Sequence, residues 1–334
     1  MKIIVLAGGN SPEREVSLAS GSLIANALIE NGHEVMLLDL LLGVENKEIG
    51  SSYKNKNDEL YSYKVGKEVL DLSKFDNLPL IHESVIPLLK ECDVVFNALH
   101  GGIGENGKLQ AVLDVYNIKY TGSDSFSSML SMDKELSKIL MKERGYATAD
   151  YFMYDDNVSS NILEFPLVIK PCSCGSSVGV SIVNNENEYK KAIEKARIYE
   201  ERIVVESYVK GREFSVGILD GKALPPIEIV PKQGFYDYEN KYQSGATLEI
   251  CPAQLTEEET DEISRCALGI HKILGLGFYS RIDFILNEEG IFYCLEANSL
   301  PGMTNTSLLP QEAAASGIGF NELVEMIVKE KMND

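Results

Sequence analysis

Positive charge is scarce in this sequence. Its 334 residues carry 31 Lys and Arg against 51 Asp and Glu, a formal net charge of −20. A chain this acidic repels phosphate backbones, and no dense basic cluster offsets the field, so no nucleic-acid partner is expected. Long apolar runs are absent too. The longest fall well short of the roughly 20 residues that span a bilayer, which argues against membrane association. The opening apolar run is short and ends in Gly8-Gly9, so it reads as a buried strand, not a signal peptide, and the expected location is cytoplasmic. Paired C-x-x-C spacing is missing among Cys92, Cys172, Cys174, Cys251, Cys266 and Cys294. Neither a zinc site nor a thioredoxin-like motif is indicated, and the thiols are expected to be reduced and mostly core. No internal repeat is evident.

What is present is an ordinary globular composition, 44% apolar and 25% charged, in a chain long enough for two or three domains. Residues 2–7 read as a strand, Ser11-Pro12 as a helix start, Asn31-Gly32 as its stop, and 34–38 as a second strand. This β-α-β opening implies a parallel sheet. Residues 43–75 are polar and irregular, and no pattern folds them. Asp93 to Leu99 is a further buried strand. Ser131 is expected to cap a helix ending at Gly145. Strands are expected at 165–170, from 178, and at 202–209, with a helix at 186–199 between the last two, then a strand-rich stretch to Pro231. A polar, aromatic loop covers 232–247. Thr256 with Glu259 is a capping-box pattern for a helix reaching about Leu274. A hairpin joins 281–286 to 291–296 around Asn287–Gly290, and a last helix covers 319–331.

The loop Gly102-Ile103-Gly104-Glu105-Asn106-Gly107-Lys108 matches both G-x-G-x-x-G and G-x-x-x-x-G-K. It follows at least the third strand, carries a glutamate, and places Leu109 where a P-loop needs Ser or Thr. A nucleotide role is therefore disfavoured. The remaining readings are a tight turn, or a loop whose His100 and Glu105 line a substrate pocket.

With a turn centred between Glu288 and Glu289, Asp283 is expected opposite Cys294 and Arg281 opposite Glu296. Arg281, Asp283 and Glu296 then share a face, and Asn298 continues it. Two carboxylates and an amide so arranged suit one or two hard cations that also take phosphate oxygens; the alternative is a solvated hairpin face. Lys170 ends an apolar strand, and Gly175-Ser176-Ser177-Val178-Gly179 would cover phosphates with amides and hydroxyls.

Together these motifs resemble the D-alanine–D-alanine ligase family of ATP-grasp enzymes. The resemblance runs through Gly8-Gly9, Ser11 to Ser17, Ala98-Leu99-His100-Gly101-Gly102 and Ser131-Met132-Asp133-Lys134. It continues through Val168 to Pro171, Gly175 to Gly179, Phe235 to Tyr242, Leu295-Glu296-Ala297-Asn298 and Pro301-Gly302-Met303-Thr304. It implies an α/β fold, α+β in the C-terminal half, with an open parallel N-terminal sheet and three domains at 1–121, 122–207 and 208–334. It implies ATP as substrate, two magnesium ions (manganese as a substitute), D-alanine as the amino acid, a homodimer, and a place in peptidoglycan precursor synthesis.

The resemblance also implies residue roles. Lys134 and Lys170 would contact ATP phosphates, Glu206 and Glu213 would hold the adenine end and ribose, and Asp283, Glu296 and Asn298 would bind metal. Glu13 would meet the first substrate's ammonium; its bland role is a helix-dipole acid. Arg281 and the Gly302 amide would stabilise the oxyanion. Ser176 and Tyr242 would position substrate and pin the loop, His100 would orient a first-site group, and Lys241 and Ser307 would hold the second carboxylate. Relatives making D-alanyl-D-serine or D-alanyl-D-lactate tend to carry Phe and Arg where this chain has Met303 and Leu308, so the apolar Leu308 favours D-alanine. The chain departs from the family at Cys174, where many relatives have glutamate; Cys172 and Cys174 then read as small fillers. The readings from other classes are a non-catalytic nucleotide-binding module and a dinucleotide-dependent oxidoreductase using the loop at 102–107.

Overall fold

The computed structural model describes residues 1–47, 49, 52–63, 72–75, 77–156, 163–175, 177–231, 247–304 and 306–332. It begins with the expected β-α-β unit: β1 (Lys2–Ala7), α1 (Arg14–Glu30) and β2 (Glu34–Asp39). With α2 (Val85–Leu89), β3 (Val94–Asn97) and α3 (Lys108–Val115), these form a parallel sheet in the order β2-β1-β3. The strands are apolar without alternation because both faces are covered. The polar stretch after β2 is partly held by Tyr61, which is buried and donates its hydroxyl to the Val35 carbonyl at 3.2 Å.

Next come α4 (Ser125–Met132) and α5 (Lys134–Glu143). A single helix capped by Ser131 was expected; instead Ser131 lies inside α4, and Asp133 caps α5 by accepting from the Leu136 N–H. A second, antiparallel sheet follows, in the order β4-β7-β5-β6, from β4 (Tyr151–Met153), β5 (Leu167–Pro171), β6 (Ser181–Val183) and β7 (Ile203–Ser207). It is covered by α6 (Glu186–Arg197). Leu167, Ile169, Val205, Tyr189 and Ile193 make its own core.

The third sheet has the order β11-β10-β8-β12-β13, with β9 paired to β8. Its strands are β8 (Gly211–Leu219), β9 (Lys222–Ala223), β10 (Ile227–Pro231), β11 (Thr247–Ile250), β12 (Tyr279–Asn287) and β13 (Phe292–Asn298). The helix α7 (Glu257–Ile273) starts at the expected Thr256/Glu259 capping box. The last helices are α8 (Leu308–Ala315), which sequence patterning missed, and α9 (Phe320–Glu330). Leu323, Val324 and Ile327 of α9 pack in one core with Ile3, Val5, Leu28, Leu300 and Met303, so the chain's end closes on its beginning. A parallel α/β sheet is thus followed by two antiparallel sheets with helices, in keeping with the α/β fold, α+β in the C-terminal half, that the resemblance implies. Among the described residues no helix is long and apolar enough to cross a membrane.

Candidate active site

The first wall of the site is the turn between β1 and α1. Arg14 is buried and ion-paired with Asp39 at the end of β2, and it donates to the Gly9 carbonyl at 3.0 Å. That anchorage fixes Glu13 at the N-cap of α1. Its carboxylate makes no cap bond and instead lines a cavity with His100 and Glu105. His100 Nε2 lies 3.1 Å from Ser20 Oγ, and Nδ1 lies 3.9 Å from Glu105. Burial holds the imidazole pKa below its usual value, with Arg281 acting in the same sense and Glu13 against it. Glu105 accepts from the Gly101 N–H at 2.9 Å; burial, then the nearby Glu13 charge, pushes its carboxyl up to about 8. Of the glycine-loop residues singled out in the sequence, His100 and Glu105 both line this cavity.

The second wall is the β12–β13 hairpin, and its register differs from the expectation. Asp283 stands opposite Glu296 and Arg281 opposite Asn298, while Phe284 stands opposite Cys294. A β-bulge at this point places one extra residue, Leu295, in β13. Simple alternation would put Cys294 on the face of Glu296. The bulge sends Cys294 and Ala297 into the core with Phe284, while Leu295 and Glu296 both face the cleft. Arg281, Asp283, Glu296 and Asn298 still share one face, as expected. Asp283 accepts from Ser215 Oγ at 2.7 Å, from Arg281 Nε at 2.9 Å and Nη2 at 2.8 Å, and from Asn298 Nδ2 at 3.1 Å. Two facing carboxylates with an amide beside them fit a hard divalent cation whose shell is completed by phosphate oxygens. Among the described residues there is no group of three His, Cys, Asp or Glu side chains that would hold a metal unaided.

A second cavity opens between the two antiparallel sheets. Lys134, Lys170, Glu206, Glu213, Asp283 and Glu296 all line it. Lys134 donates to the Cys174 carbonyl at 2.6 Å, so Cys174 holds this lysine through its backbone. Lys170 lies 2.7 Å from Glu206, and Lys138 lies 2.9 Å from the other oxygen. Burial alone would raise the Glu206 pKa, but Lys138 and Lys170 outweigh it and hold the carboxylate ionised. Lys138 was not anticipated. On a helix rich in charge it reads as a surface lysine, yet it is 2% exposed. Ser215, the Asp283 partner, gave no sequence signal.

At the far end of the first cavity lie Gly302, Ser307 and Leu308. A Cβ on Gly302 would stand 2.8 Å from Ser307 Oγ, so a side chain here would have to displace that hydroxyl. Ser307 Oγ accepts from the Thr304 N–H at 2.9 Å. Leu308 packs with Ile227 and Ile229 and presents an apolar wall. Met303 instead packs in the main core. Ser176, Lys241 and Tyr242 lie outside the described residues.

Two family models, described as D-ala D-ala ligase N-terminus and C-terminus, match residues 2–123 and 140–329. The chain belongs to the D-alanine–D-alanine ligase family. A D-alanine–D-alanine ligase of Pediococcus pentosaceus is 44% identical over 100% of this chain and 99% of the relative. Among solved structures, the Bacillus anthracis D-alanine–D-alanine ligase complexed with ATP matches with a TM-score of 0.78 at 31% identity, covering 100% of this chain and 97% of that one. The D-Ala:D-Ser ligase of Enterococcus faecalis matches with a TM-score of 0.77 at 27% identity, over 99% of both chains. The expected ATP-grasp architecture is thus the one observed, and the chain is an ATP-dependent ligase.

Proposed function

We propose that this ligase joins two D-alanines into D-alanyl-D-alanine, the dipeptide of peptidoglycan precursors, through a D-alanyl phosphate. The observation that carries the reading is the position of the β12–β13 hairpin. Glu296 lines both cavities, with Asp283 and Leu295 facing the one between the antiparallel sheets and Arg281 and Asn298 the other. A phosphoryl group carried by a nucleotide in one cavity would meet a carboxylate held in the other at this hairpin.

ATP would lie between the antiparallel sheets, its phosphates against Lys134 and Lys170 and its adenosine end toward Glu206 and Glu213. Glu13, with His100 and Glu105 beside it, would receive the ammonium of the first D-alanine. The D-alanine carboxylate oxygen bonds to the γ-phosphorus as the bond to ADP breaks. The amine of the second D-alanine then attacks the carbonyl carbon, and inorganic phosphate leaves. Arg281 and the Gly302 N–H would hold the oxyanion of that step. Asp283, Glu296 and Asn298 would hold two magnesium ions, which supply charge neutralisation to the transferred phosphoryl group. Ser307, with Lys241, would hold the second carboxylate, and Ser176 and Tyr242 would position substrate. Leu308 gives the second side chain an apolar wall with no partner for a hydroxyl, which favours D-alanine over D-serine or D-lactate. The three domains 1–121, 122–207 and 208–334 each contain one of the three sheets.

The test is phosphate release from ATP and magnesium with D-alanine, D-serine, D-lactate or L-alanine, with mass analysis of the product. D-alanine-dependent release with a dipeptide product is expected. Release driven better by another acceptor would move the second-site assignment around Leu308, and no stimulated release by any would overturn the reading.

A further inference from the structure

Strand β8 runs along the floor of the site. Its residues 213, 215 and 217 alternate onto one face. Glu213 lines the cavity between the antiparallel sheets, Ser215 bonds Asp283, and Gly217 stands opposite Arg281. Pairing on the other edge of β8 is interrupted at this point: the ladder to β10 ends at Ser215 and that to β9 begins at Ile218. The Gly217 N–H therefore needs an acceptor from outside the sheet. Glu312 of α8 supplies it, with Oε1 accepting at 2.9 Å.

Glu312 is 0% exposed, and its Oε2 has no hydrogen-bond partner among the described residues. A Cβ on Gly217 would stand 2.7 Å from that oxygen and 2.6 Å from Leu309 Cδ1, so strand and helix touch here. A half-satisfied carboxylate in such a place is costly. Burial penalises the charged form and pushes its pKa up to about 8, and the neutral form lessens the cost. Leu308, which walls the acceptor end of the first cavity, is four residues earlier, one turn along the same helix face. Gln311 secures α8 from another side, donating to Glu249 of β11 at 2.5 Å.

We propose that Glu312 is a positioning residue for the acceptor subsite, fastening α8 to the Gly217 backbone and so fixing the Leu308 wall relative to Arg281. The inference rests on the ligase reading given above. Without the Glu312 bond, α8 can slide or turn on β8, and Leu308 no longer presents a fixed wall to the second amino acid. The cavity between the antiparallel sheets contains no residue of α8 and is left unchanged.

The test uses the full chain with Glu312→Met, which keeps length and loses the acceptor, and Glu312→Gln, which keeps the acceptor. D-alanine and D-serine compete as acceptors, and the ratio of the two dipeptides is read by mass, because that ratio does not depend on the fraction of enzyme folded. Glu312→Met is expected to shift the ratio at least five-fold and to raise the KM for the second D-alanine, with the KM for ATP within two-fold of the parent. Glu312→Gln is expected to restore both. A parent-like ratio and second-site KM in Glu312→Met, whatever its melting temperature, would overturn the proposal. Failure of the parent to form any dipeptide would count against the ligase reading itself.

Discussion

Asp283 and Glu296 face each other directly across β12 and β13, one step beyond the bulge that turns Cys294 to the core. Asp283 is also the acceptor for Ser215, Arg281 and Asn298. Replacing Asp283 with Asn keeps the shape but removes the charge that both Arg281 and a divalent cation would answer. Asp283→Asn is expected to lower kcat by on the order of 100-fold or more while the protein stays folded. Phosphate release at saturating ATP, with circular dichroism as the folding control, checks it; a loss below ten-fold would remove Asp283 from the metal set.

Glu206 is the shared counter-charge of Lys138 and Lys170. Removing it leaves two ammonium groups together, one of them fully enclosed. Glu206→Ala is expected to cost about 3–5 kcal/mol, the range for breaking a buried ion pair on one side. Urea unfolding measures this, and the double variant with Lys138→Met should recover part of the loss.

Binding of D-alanine is expected to release protons. Glu105, held up to about 8 by burial and by Glu13, carries its proton at pH 7. An ammonium arriving between the two carboxylates favours the ionised form and expels that proton. Affinity for D-alanine should therefore rise with pH until about pH 8. Calorimetric titration at pH 7 in two buffers of different ionisation enthalpy should show release approaching one proton per site filled; no buffer dependence would mean Glu105 is already ionised.

Glu312 makes a stability prediction with a defined sign. Its pKa is raised from 4.5 to about 8 by burial, with Asp283 acting in the same sense and the Gly217 N–H and Arg281 against it. The folded state therefore holds a proton that the unfolded state has lost between those values. This favourable term is complete below about pH 4.5, fades as pH rises, and is gone above about pH 8. Glu312→Gln, which does not titrate, should gain on the parent across this window by up to a few kcal/mol. Melting temperatures of both proteins at pH 5 and pH 8.5 compare them; a constant difference would contradict the prediction.

Much of this was legible where the signal is local. Thr256 and Glu259 mark the start of α7 because a capping box is closed within four residues. The first strands are plain because both faces of a parallel sheet are buried. Where two local choices compete, tertiary partners decide. Ser131 and Asp133 are both cap-type residues, and Asp133 takes the role in a place where Arg202 also pairs with it. Helix α8 was hidden by Pro310, which a first turn tolerates but which reads as a breaker in sequence. The bulge beside Leu295 and the burial of Lys138 depend on which strands and helices meet, and nothing in either neighbourhood announces them. The site face of the hairpin was found even so, because Arg281 and Asp283 alternate on one strand regardless of register.

The separate core of the β4–β7 sheet has a mechanical consequence. Its packed side chains come from residues 152–205, whereas the first and third sheets share a core through α9. The protein is thus a clamp whose two jaws owe their cohesion to different sets of contacts, and the cleft lies along the seam. A nucleotide gripped by Lys170 on one jaw and the Asp283 hairpin on the other would act as a rivet between them.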